Sequence, residues 1–91
     1  MYKTSIEHCT YGMQVVTEIN SLVDACKSRG YEVKGVGLPD KCITLLRADY
    51  ESNKLLHVTY DGPTVKTFLS DLELFPFSNR CEHVIFPILD L

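Results

Sequence analysis

No apolar run in this 91-residue chain approaches the roughly 18 residues that a membrane-spanning helix needs, so no membrane segment is expected. The N-terminus also lacks a basic stretch followed by an apolar one, the mark of a secretory leader. Four cysteines are present, Cys9, Cys26, Cys42 and Cys81, but no two stand in a Cys-x-x-Cys pair. The usual spacings of zinc ribbons and dithiol redox sites are therefore missing. Free thiols in a reducing cytoplasm are the expectation, with no metal and no cofactor. A basic excess is lacking too, since nine Lys and Arg face twelve Asp and Glu for a net charge of −3. Non-specific nucleic-acid binding draws its affinity from cations that neutralise phosphates, so nucleic acid is disfavoured as a partner. Glycine-rich phosphate loops and the nucleophile-elbow pattern do not occur, and neither do internal repeats or low-complexity segments.

What remains is the composition of one globular domain spanning residues 1–91, 45% hydrophobic and 23% charged. Its core must be small, and association of copies is a natural supplement to the stability of so short a chain. The clearest element is a helix from Tyr11 to Arg29. Val15, Val16, Ile19, Leu22, Val23 and Cys26 recur at the three-and-four spacing of an amphipathic helix, with polar residues between them. Thr10 is the expected N-cap, and Gly30 suits the left-handed position past the end.

Around this helix the pattern predicts strands. Tyr2–His8 and Tyr31–Val36 alternate, and Gly35-Val36-Gly37 reads as the end of a strand entering a turn. Residues 42–50 and 54–60, joined by Glu51-Ser52-Asn53, read as a hairpin. Pro63 then opens a second helix with Val65, Phe68, Leu69 and Leu72 as its buried stripe. The apolar run 82–91, interrupted by Pro87, should be an edge strand or an extended tail; it is expected to complete this domain's own sheet in preference to adding to a partner's edge or groove. The expected fold is thus α+β, a two-layer sandwich with two helices on one face of a mainly antiparallel sheet, in the order β-α-β-β-β-α-β. Its α-β-β-β-α portion is similar in element order to a double-stranded-RNA-binding domain. That family binds through a lysine cluster at the start of its second helix, where this chain has Lys66 alone.

Two tetrapeptides carry the only repeated chemistry, His8-Cys9-Thr10-Tyr11 and His57-Val58-Thr59-Tyr60. Each resembles the His-x-Thr/Ser signature of the two-histidine phosphoesterase superfamily. The resemblance implies one histidine as base and the other as acid across a phosphodiester, with hydroxyls holding its oxygens. On that reading His8, Thr10, His57 and Thr59 would form the catalytic set of a small phosphoesterase or nucleotide-binding protein, with Arg47 beside His57. Cys81, His83, His8 and Cys9 are ligand types that suit zinc, but adjacent His8 and Cys9 would point to opposite faces of a strand.

The favoured expectation is different. On the expected hairpin, Arg47 and His57 are cross-strand neighbours on the outer face, with Leu45 and Thr59 beside them. The C-terminal run adds Ile85, Phe86, Ile88 and Leu89. An arginine among aliphatic residues is common at protein interfaces. These residues are the expected contact surface of a small, non-enzymatic regulatory or inhibitory protein that binds another protein and can act as a homodimer. Virus-encoded modulators of host systems are one such group.

Overall fold

The computed structural model describes residues 3–78 and 83–90 of the chain. The elements are β1 (Thr4–Ser5), α1 (Gly12–Ser28), β2 (Val33–Pro39), α2 (Asp40–Ala48), α3 (Tyr50–Asn53), β3 (Leu56–Asp61), β4 (Thr64–Leu69), β5 (Leu72–Phe77) and β6 (Val84–Leu89). The six strands form one sheet in the order β1-β6-β2-β5-β4-β3. The α+β class and its two layers are as expected. The sheet is mixed, because β2 runs parallel to β5 while the other neighbours are antiparallel.

Helix α1 forms where its apolar period places it, burying Val15, Val16, Ile19, Leu22 and Cys26. Its C-terminus closes as a Schellman motif. Gly30, at φ 84°, donates to the Lys27 carbonyl at 2.9 Å, and the Tyr31 amide donates to that of Cys26 at 3.0 Å. The N-terminus corrects the expectation for Thr10. The N-cap is Tyr11, which has no capping side chain. Asp49 supplies the acceptor from another part of the chain, its Oδ2 taking the Met13 amide at 2.9 Å. Thr10 instead donates its own amide to Gln14 Oε1 at 2.6 Å.

Two segments exchange type relative to the sequence expectation. Residues 42–50 do not pair with 54–60; most of them lie in α2, where Cys42, Ile43 and Leu46 form the buried stripe. A short apolar run reads almost equally well at either period, and the cues that decide it are polar. Asp40 stands in the first turn and Arg47 in the last, each suited to its end of the helix dipole. Residues from 63 onwards are not helical either, because β3 turns back on β4 through Gly62-Pro63, with Asp61 opposite Thr64. Glycine at the first position of a two-residue loop between alternating runs is a hairpin signal. Gly62, at φ 60°, takes the left-handed backbone that the first position of such a turn demands. A second two-residue turn at Ser70-Asp71 leads into β5, with Leu69 opposite Leu72.

The C-terminal run completes the domain's own sheet, as expected, but as β6 it lies inside the sheet between β1 and β2 and not at an edge. Pro87 is tolerated there opposite Val36, and over its described residues β1 flanks only Val84 and Ile85. The core lies between this sheet and the helices, with Ile6, Val36, Leu38, Leu74 and Ile85 meeting Val15, Ile19, Cys42 and Leu46.

Candidate interaction surface

Side chains alternate across a strand, so the register divides the sheet into two faces. Val36, Leu38, Leu69, Leu74 and Ile85 point to the helices. Their neighbours point away. Gly35 pairs with Glu73 and Ile88, Gly37 pairs with Phe75 and Phe86, and Pro39 pairs with Phe77. Phe68, opposite both His57 and Glu73, belongs to the same outer face. All four phenylalanines of the chain, Phe68, Phe75, Phe77 and Phe86, therefore lie on the side of the sheet that the helices leave open.

The glycines of β2 make this face flat. A Cβ on Gly37 would collide with the Phe86 ring and one on Gly35 with the Phe75 ring, so the strand has to be bare at these two positions. The rings thus lie down over β2 and remain half-buried. Phe77 and Phe86 stack with centroids 5.6 Å apart and planes inclined by 25°, an offset geometry that aromatic pairs favour. Ile88 and Val84 extend the apolar area along β6, while His57, Thr59 and Lys66 form a polar margin toward β3. Apolar centre and polar rim are the anatomy of a protein-binding surface.

The residues expected from sequence to form the contact surface are distributed differently. Leu45 and Arg47 are on α2, in the helical layer, and so are not neighbours of His57 and Thr59 on β3. The Arg47–His57 pair required residues 42–50 to be a strand. Ile85 is fully buried in the core, whereas Phe86 and Ile88 do belong to the open face, and Leu89 ends β6 opposite Val33. Phe68, Phe75 and Phe77 escaped the sequence reading. The signal was the two-residue spacing of Phe75-Pro76-Phe77, Phe86-Pro87-Ile88 and Gly35-Val36-Gly37, which places like residues on one face of adjacent strands.

The two His-x-Thr segments are not brought together. His8 and Thr10 lie between β1 and α1, while His57 and Thr59 are on β3, and β1 and β3 are opposite edges of the sheet. Five strand spacings of roughly 4.8 Å separate such edges by on the order of 24 Å. An acid and a base must both reach one phosphodiester within hydrogen-bond distance. His8 instead approaches Glu18, with Nε2 3.4 Å from Oε1. His83 Nδ1 lies 2.9 Å from Lys41 Nζ. Cys81 falls outside the described residues, and among the described residues no cluster of three or more His, Cys, Asp or Glu could hold a metal ion.

The thiols are held away from reactivity. Burial pushes the Cys42 thiol up to about 11, with Cys9 adding to the rise and Lys41 opposing it. Cys9 is raised too, first by burial and then by Glu18. Both are thus protonated at neutral pH, and the thiolate is the nucleophilic form.

A concave feature lies on the helical side, between α1 and the β4–β5 turn. This groove of about 350 Å³ is lined by Val16, Val23, Leu55, Leu69 and Leu72, with Asn20, Lys27 and Asp71 at its polar margin. Among the described residues no helix is long and apolar enough to cross a membrane. No protein-family model matches the chain, and comparison with curated proteins and with solved structures finds no match.

Proposed function

We propose that this chain is a small non-enzymatic regulatory protein that binds another protein through the phenylalanine face of its sheet. The observation that carries the reading is the gathering of all four phenylalanines on the one sheet face the helices leave open. Aromatic residues are enriched at interfaces and depleted on ordinary surface, because large rigid side chains bury much area at little entropic cost. The bare glycines support it further, since they flatten the surface without filling it. A catalytic role has less support. The candidate histidines stand at opposite edges of the sheet, and Cys9 and Cys42 are held protonated. Cys9, Cys26 and Cys42 are buried and free of disulfides, which suits action in the reducing cytoplasm.

The test is capture from extracts of the native host with two variants of established fold. Phe75→Lys places a charge at the centre of the face, while Arg47→Glu changes the helical layer on the opposite side. A protein retained by the wild type and by Arg47→Glu, but lost with Phe75→Lys, is the expected result. Equal recovery with Phe75→Lys, or loss with Arg47→Glu alone, would overturn the reading.

A further inference from the structure

Strand β3 ends the sheet, and its backbone alternation is set by the turn that follows it. In a hairpin with a two-residue loop, the residues flanking the loop form a hydrogen-bonded pair, and such pairs recur at every second position. Asp61, Thr59 and His57 therefore bond to β4, while Leu56, Val58 and Tyr60 turn their amides and carbonyls outward. Among the described residues no strand lies beyond them.

Edge strands are ordinarily protected by proline, lysine, a bulge or shortness, because a bare edge is a template for another strand. β3 has none of these. Its register with β4 runs unbroken over six pairs, it holds no Lys, Arg or Glu, and its one Asp is Asp61 at the tip, while His57 lies at an inward-bonded position. Two of these three side chains are also left open, with Val58 42% and Tyr60 76% exposed, while Leu56 is half-buried against the core.

We infer that β3 pairs antiparallel with β3 of a second copy of this chain, about a two-fold axis passing through Val58. This register sets Val58 opposite Val58 and Leu56 opposite Tyr60, so every outward-facing residue meets another and about six backbone hydrogen bonds close the seam. Displacement by one residue would set outward amides against inward ones. Displacement by two would carry an outward residue past the end of the partner strand. In the favoured register each Tyr60 ring covers the Leu56 of the other copy, the cross-strand pairing of aromatic and aliphatic residues that stabilises sheets. Asp61 falls opposite the chain just before the other copy's strand, clear of its own counterpart.

The axis stands perpendicular to the sheet, so both helical layers fall on one side and both phenylalanine faces on the other. The dimer would double the proposed docking surface without covering it, and its existence does not depend on that surface having a partner.

Sedimentation velocity on the full chain, from low to high micromolar protein, tests the inference. The wild type should shift from the 10.3 kDa monomer to a dimer as concentration rises. Val58→Lys, which brings two ammonium groups together at the axis, should remain monomeric with an unchanged circular dichroism spectrum, and Phe75→Lys should still dimerise. Tyr60→Glu provides the same readout at a more exposed position if Val58→Lys does not fold. A wild type that stays monomeric throughout overturns the proposal. So does a folded edge variant, Val58→Lys or Tyr60→Glu, that dimerises as well as the wild type, or a dimer abolished by Phe75→Lys alone, which would place the contact on the open face.

Discussion

Ser70 is the non-glycine residue with left-handed backbone among those described, at φ 54° in the two-residue turn between β4 and β5. That conformation costs an ordinary L-residue about 1–2 kcal/mol. The turn persists because both strands are held in register and because the Ser70 amide donates to the Leu55 carbonyl at 2.8 Å. Ser70→Gly keeps that bond and removes the steric cost, while adding freedom to the unfolded chain. A net stabilisation of about 0.5–1 kcal/mol is expected, visible as a higher urea midpoint at unchanged m-value. An unchanged or lower midpoint would show that the turn is not strained. Gly37 lies at the other extreme, where the conformation is ordinary and the absent Cβ is what matters.

Among elements, the corner between α1 and the α2–α3 pair depends on groups far apart in sequence. Asp49 accepts from Met13 at the start of α1 and from Glu51 at the start of α3, at 2.9 and 3.2 Å. Gly12 lies so close to Ser52, Leu45 and Asp49 that no side chain fits there, and the buried Ser52 hydroxyl donates to the Leu46 carbonyl at 2.7 Å. Asp49→Ala removes two helix-end acceptors at once. Loss of one cap costs about 1 kcal/mol, so a destabilisation of roughly 1–2 kcal/mol in chemical denaturation is expected, with Asp49→Asn largely sparing. Helix α1 was legible because six apolar residues agree on one period. Residues 42–50 and 63–74 were not, since Val65, Phe68, Leu69 and Leu72 fit a helical stripe while in fact lying on two strands, with Phe68 on the opposite face of the sheet from the other three. In the second case Gly62, at the first position of the two-residue loop, held the answer, a local signal outweighed by the apparent period.

For the whole molecule, β2 lies between two six-residue strands, β5 in parallel and β6 antiparallel, and its Val36 and Leu38 are fully buried. Hydrogen exchange should therefore be slowest in β2, whose opening requires global unfolding, and faster in the outer part of the β3–β4 hairpin, where residues 57–66 are exposed. The dimer adds a discriminating term. Amides of Leu56, Val58 and Tyr60 should exchange rapidly in the monomeric Val58→Lys variant at positions 56 and 60, and slow with rising concentration in the wild type. Protection independent of concentration would contradict edge pairing. The open face and the open edge thus report on separate associations within one sheet.

Composition and local periodicity by themselves determined the α+β class, helix α1 with its glycine stop, and the burial of Cys26. These follow from how much apolar surface there is and how it repeats along the chain. They also placed Phe86 and Ile88 in the expected contact surface, and both lie on the open face of the sheet. Only the tertiary structure decided that β6 lies inside the sheet and that β2 and β5 run parallel. It likewise separated His8 from His57, and Arg47 from both. Strand order joins residues dozens of positions apart, and a two-residue period says which face a side chain takes without saying which strand lies beside it. The phenylalanine face exists because four strands, none adjacent to all the others, present the same parity to the same side.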